Sequence, residues 1–199
     1  MIETEKKVKA YSTEEFKRII QGIESSGLEY YVFGGFCYDG INGEKRTHGD
    51  LDLVLNSEEQ RALEIFRDLG YTTYRLGRKH DYRKELETIH KIDVLFLQDK
   101  EDKYILRGNL SEDHIPKKAF TPQRIVQVNG TCFKIMPFEW LAKYIGQHPS
   151  PDSEYYSEEK VNSQNKAIEK ITPLCRDIPG LTQTNIPKPD NMNRVLIEI

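Results

Sequence analysis

Asp50-Leu51-Asp52 sets two carboxylates one residue apart within an apolar alternation, Leu51, Leu53 and Leu55. That alternation is the signature of a strand with one apolar face. Side chains at i and i+2 of a strand point to the same face, roughly 6.6 Å apart along the chain. Two carboxylates so placed can converge on a hard cation such as Mg²⁺, which takes oxygen ligands and often bridges to phosphates. The same spacing also suits a half-exposed strand that turns polar residues outward. A third carboxylate, Asp93, interrupts the apolar run Ile92-Asp93-Val94-Leu95-Phe96-Leu97. A buried, unpaired carboxylate costs several kcal/mol, about 2–7 for a polar group even without charge, so Asp93 needs a partner, an ion or a solvent-facing edge. Three acids in one place repel one another and call for cations. Gly34-Gly35 directly follows an apolar strand, Tyr30-Tyr31-Val32-Phe33, and precedes a short helix. Glycines there let backbone amides approach an anion at a helix N-terminus, and equally they form a tight turn.

Several elements must hold these residues. Ser12 and Glu15 form a capping box ahead of a helix carrying Phe16, Ile19, Ile20 and Ile23, which ends near Gly27. The strand over 30–33, a short helix over 36–41 and a polar loop from Asn42 to Gly49 lead to the strand of Asp50 and Asp52. Ser57 is expected to cap a helix with Leu63, Ile65, Phe66 and Leu69 that stops at Gly70. A short strand over 71–74, a charged stretch over 77–90 and the strand of Asp93 follow. Residues 98–122 read mostly as loop, with a short strand near Tyr104. Asn129-Gly130 turns a hairpin, and Pro137 opens a helix through Trp140, Leu141 and Ile145. A last helix is expected over about 153–171.

Strands follow one another too closely for a βαβ series. The expected class is α+β: a mixed sheet with helices on one face, then a hairpin and a small helical C-terminal part. The expected divisions are a core over 1–136, a helical part over 137–171 and an extended proline-containing tail over 172–199.

The chain has 199 residues, enough to bury a real core. Its 29 Lys and Arg nearly balance 32 Asp and Glu, a formal net charge of -3. No whole-protein basic field gathers nucleic acid, although a local basic patch is compatible with the composition. Cys37, Cys132 and Cys175 lie far apart without metal-ligand spacing, which suggests free thiols in a reducing compartment. The five histidines show no zinc spacing. With no signal-like segment and no apolar run long enough to span a bilayer, the reading is of a soluble cytoplasmic protein without a membrane partner.

Taken together, strand, Gly34-Gly35-Phe36-Cys37-Tyr38-Asp39, Gly43, Arg46, His48, Asp50-Leu51-Asp52 and the later Ile92-Asp93-Val94 resemble the nucleotidyltransferase superfamily with the polymerase-beta-like fold. The likeness is strongest to the small aminoglycoside and lincosamide nucleotidyltransferase type, in which Trp usually stands where this chain has Phe36. Met136-Pro137-Phe138-Glu139-Trp140-Leu141-Ala142-Lys143 resembles the strand-to-helix passage after the core. The resemblance implies transfer of a nucleoside monophosphate, AMP from ATP, to an acceptor hydroxyl with two Mg²⁺ ions. By the same resemblance Asp50, Asp52 and Asp93 are the metal ligands, and Asp93 is the general base. Gly34 and Gly35 would meet the triphosphate, with His48 and Lys143 as further contacts. Arg46, Lys45, Arg78 and Lys79 could neutralise phosphate charge, although most residues of this kind are only surface charge. Two other readings stay open: a toxin- or antitoxin-type enzyme acting on RNA or protein, and an inactive binding protein on the same scaffold.

Overall fold

The computed structural model describes residues 12–76, 79–85, 89–109, 111–145, 157–185 and 194–197. Helix α1 (Thr13–Ser25) starts as the capping box requires: the Ser12 hydroxyl accepts from the Glu15 amide at 3.1 Å. Its period-3.6 apolar stripe, Phe16, Ile19, Ile20 and Ile23, is buried. Strand β1 (Glu29–Phe33) runs straight into α2 (Gly34–Asn42). Strand β2 (Asp50–Asn56) pairs antiparallel with β1, and α3 (Glu59–Asp68) buries Ala62, Leu63 and Phe66. Ser57 does not cap α3. The helix begins after Glu58, which makes no side-chain capping bond, and the Ser57 hydroxyl donates to the Glu58 carbonyl.

Strands β3 (Thr72–Leu76), β4 (Lys79–Glu85) and β5 (Ile89–Asp99) follow as an antiparallel run. Strand β5 also lies parallel to β2. Residues 98–122, read from sequence as mostly loop with a short strand near Tyr104, carry that strand as β6 (Lys103–Arg107) and also an unexpected β7 (Ser111–Pro116), then a 3-10 turn over Lys117–Phe120. The reason lies in pairing. Glu112 and Asp113 have low strand propensity, but β7 is held between neighbours on both sides, and strand preference follows context more than residue type. The hairpin of β8 (Arg124–Val128) and β9 (Thr131–Ile135) turns at Asn129-Gly130, both with positive φ. Helices α4 (Phe138–Ile145) and α5 (Glu158–Ile171) follow. Within the C-terminal tail, β10 (Thr182–Asn185) adds to β7 and β11 (Arg194–Leu196) adds to β3.

The result is one mixed sheet ordered β10-β7-β6-β5-β2-β1-β9-β8, with β4, β3 and β11 branching from β5. One face carries Tyr30, Val32, Leu53, Leu55 and Phe133 against α1 and α3, with Phe16 edge-on to Phe133 and stacked on Phe36 of α2. The opposite face carries Tyr31, Phe33, Val54 and Leu95, and α4 lies over it through Trp140, edge-on to Phe33 at 5.8 Å. Arg176 straps the segment after α5 to this layer, bonding buried Glu139 and the carbonyls of Ala119 and Thr121. No described helix is long and apolar enough to cross a membrane.

Candidate active site

Strand register assembles the acids. Phe33 on β1 faces Asp52 on β2, and Asp52 faces Asp93 on β5. Residues directly opposite in a ladder share a face, so Asp50, Asp52 and Asp93 stand on one side of the sheet. One carboxylate oxygen from each lies within 4.8 Å of the others. Asp50 is exposed, Asp52 half-buried and Asp93 buried, so the cluster grades from solvent into the sheet. An all-oxygen donor set of this size suits a hard divalent cation. Lys91, two residues before Asp93, sets its ammonium 2.9 Å from Asp93 Oδ2.

The glycine pair answers to this cluster. Gly34 has φ +66° at the first turn of α2, and a Cβ there would lie 1.9 Å from Asp52 Oδ2. Only glycine lets the backbone turn this way beside that carboxylate. Gly35 is excluded from carrying a side chain by a different neighbour: its Cβ would meet His48 Nδ1 at 2.4 Å. Gly35→Ala should therefore push the imidazole off its seat and lower stability by about 1–3 kcal/mol, the usual range for overpacking. Thermal melting against wild type measures the loss, and an unchanged melting temperature would show that the loop gives way freely.

His48 is held from below. Asp39 on α2 is fully buried and accepts from the Arg46 amide and Nε, both at 2.7 Å, and from His48 Nε2 at 2.9 Å. Burial raises the Asp39 carboxyl, but the bonds from His48 and Arg46 outweigh it and leave the group below its ordinary value. A carboxylate only accepts, so Nε2 carries the proton. The imidazole also packs on Phe36, ring centroids 4.4 Å apart. Arg46, one of the basic residues that could have neutralised phosphate, is bonded to Asp39 and within 3.4 Å of the Gly35 carbonyl. It serves to pin the 43–49 loop onto α2.

Lys143 is placed elsewhere. Its Nζ donates to the Leu181 carbonyl at 2.6 Å and ties α4 to the residues entering β10. Lys45 is exposed. Arg78, and the side chain of Lys79, lie outside the described residues.

Two side chains at the site carried no sequence signal. Asp113 is buried and accepts from Trp140 Nε1 at 2.9 Å, and its burial raises the carboxyl above its ordinary value. Tyr144 stacks on Trp140 at 4.7 Å. Burial first, then the negative charge of Asp52, Asp93, Asp113 and Asp50, pushes its phenol well above its usual range. Phe33 is the register partner of Asp52 and meets Trp140 at 5.8 Å and Tyr144 at 5.4 Å, so these three rings pack together on the acids' side of the sheet. Asp113 lies in a stretch that reads from sequence as loop.

A strand that ends in Gly-Gly at a helix start, beside Asp-x-Asp and a third acid on the neighbouring parallel strand, defines the nucleotidyltransferase class. The known proteins agree. The sequence model of the aminoglycoside-2''-adenylyltransferase family matches residues 15–139, well over half of the chain, and the chain belongs to that family. The fold is similar to the lincosamide antibiotic adenylyltransferase LnuA in its lincomycin-bound crystal structure. That match has a TM-score of 0.56 and 16% identity, over 81% of this chain and 99% of that one. It is similar also to ANT(2'')-Ia in complex with adenylyl-2''-tobramycin, TM-score 0.51 and 18% identity, over 81% of this chain and 92% of that one. The solution structure of ANT(2'')-Ia gives a TM-score of 0.53 at 17% identity, over 80% and 86% of the two chains. No curated protein sequence matches the chain.

Proposed function

We propose that this protein moves AMP from ATP to a hydroxyl of a small antibiotic-like acceptor and releases pyrophosphate. The observation that carries the reading is the convergence of Asp50, Asp52 and Asp93 within 4.8 Å beside the Gly34-Gly35 turn, in a chain of this family. Asp50 and Asp52, next to the turn, are the residues to hold the ion on the triphosphate. Asp93, with them, is the residue to hold a second ion on the acceptor side. Bound there, Mg²⁺ ions supply charge that stabilises the attacking and leaving oxygens of an in-line displacement. The acceptor oxygen bonds the α-phosphorus, the bond from that phosphorus to the bridging oxygen breaks, and the hydroxyl proton goes to Asp93. The amides at the start of α2 face the triphosphate, and Gly34 and Gly35 keep that approach free of side chains. His48, held by Asp39, stands at the same rim as a triphosphate contact. Lys143 reaches phosphate only if its bond to Leu181 is given up.

Three carboxylates gathered at one cleft suit an acceptor with a hydroxyl and neutral or positive charge. A polyanion such as RNA would meet like charge at this cleft. Pyrophosphate release with ATP and Mg²⁺ across a panel of aminoglycosides and lincosamides tests the reading. Release that depends on one of them, with an AMP adduct seen by mass spectrometry, is the expected result. Release only with tRNA or a protein acceptor would overturn the choice of acceptor.

The metal role has its own test. Asp50→Asn should abolish transfer yet leave the protein as stable or slightly more stable in EDTA, because one of three mutually repelling charges is gone. Melting in EDTA beside the activity assay decides it, and full activity in the variant would count against the site.

A further inference from the structure

Lys91 is the register partner of Asp50 and, two residues from Asp93, shares its strand face. Its side chain therefore enters the strip of sheet that carries all three acids. The ammonium lies 2.9 Å from Asp93 Oδ2, with 21% of the Lys91 side chain and 7% of the Asp93 side chain exposed. Burying a carboxylate is costly unless a cation lies beside it, and Lys91 supplies that cation. A lysine at i−2 on a half-exposed strand has no packing reason to turn its charged end inward, since its stem reaches water easily.

We infer that Lys91 is the resident counter-ion of the acidic cleft: it neutralises Asp93 while no divalent ion is bound and leaves Asp93 when the acceptor-side ion arrives. The inference rests on the metal reading proposed above. Lysine suits such a part because its ammonium is a point charge on a flexible stem, without the rigid two-pronged grip of a guanidinium. A dication carries twice the charge and takes several carboxylate oxygens at once, so it can displace the ammonium. The ammonium in turn lowers the affinity of the cleft for free ions. Binding becomes an exchange of one cation for another, and the cleft needs no ion to stay folded.

The test uses the full chain with Lys91→Met and Lys91→Gln, and Mn²⁺ as the probe ion. Titration calorimetry should find Mn²⁺ bound about tenfold more tightly by both variants, within the usual range of coupling between two competing ligands. In EDTA both should melt about 2–4 °C below wild type, and saturating Mn²⁺ should close the gap. In an Asp93→Asn background the same substitutions should change neither quantity, because the charge that Lys91 serves is absent. Wild-type affinity and wild-type melting in both single variants would overturn the inference while leaving the metal site standing. If neither wild type nor variants bind Mn²⁺, the metal reading falls and this inference falls with it. A poorly folded Lys91→Met does not end the test, because Lys91→Gln keeps a polar end group of similar reach and is read by the same two measurements.

Discussion

Asp93→Asn should retain most of the affinity for Mg²⁺-ATP and lose turnover by roughly 10²–10⁴, the worth of a general base. The expectation comes from the placing of the acids. Asp50 and Asp52 follow the Gly34-Gly35 turn, the triphosphate side of the cleft in the proposed reading, and Asp52 is the carboxylate that Gly34 must clear. Asp93 stands one strand further on and is buried. A group used at the reacting hydroxyl stabilises mainly the transition state, so kcat falls and donor binding barely changes. Calorimetry with a non-hydrolysable ATP analogue, beside steady-state kinetics, separates the two quantities. Equal loss of nucleotide affinity in Asp93→Asn and Asp50→Asn would mean one undivided site and would remove the separate role given to Asp93.

The second large effect is expected at a residue that touches neither ion nor substrate. Asp39→Ala should cost about 3 kcal/mol, the lower end for removing one partner of a buried ion pair. The Arg46 side chain is 16% exposed and can recover some hydration, which sets the estimate at that end. Acid sensitivity gives an independent signature. The Asp39 carboxyl is held below its ordinary value in the folded chain. Its contribution is therefore complete above the unfolded value, about 4, and is lost as pH falls through the folded value. The melting gap between wild type and Asp39→Asn should be constant above about pH 5 and shrink below about pH 4. A gap that widened on acidification would reverse the assignment of Asp39 as the ionised partner.

What could be read without coordinates, and what could not, divides along physical lines. Short-range patterns carried far. The Ser12 capping box, the stripe of Phe16, Ile19, Ile20 and Ile23, the alternation around Asp50 and the Asn129-Gly130 turn each state their local structure in the residues themselves. The acid triad was legible because two of its members are i and i+2 on one strand and the third breaks an apolar run. Pairings made by register were not legible. That Lys91 meets Asp93 depends on which strand faces outward, and that Asp113 meets Trp140 depends on β7 existing at all. Arg46 shows a further limit. A loop arginine beside a candidate phosphate site has two outlets, and only the position of Asp39, inside a helix and fully buried, selects one. Ser57 failed for a simpler reason: it is a good capping residue one position too early.

The two tail strands have a consequence for how the protein is made. Strand β10 closes the free side of β7, and β11 closes the free side of β3. Both come later in the chain than every strand they pair with, and β11 must return across more than half the sequence. During synthesis the sheet is therefore complete in its centre, acids included, while two of its outer strands still offer unpaired amides and carbonyls. Exposed edges of that kind recruit strands from other molecules, and distant pairings form slowly. Crowded ribosomes at high expression would favour strand exchange between neighbouring chains over closure within one. Yield and solubility should then respond to temperature and expression rate more than to any feature of the cleft, and should suffer first when residues 182–196 are disturbed.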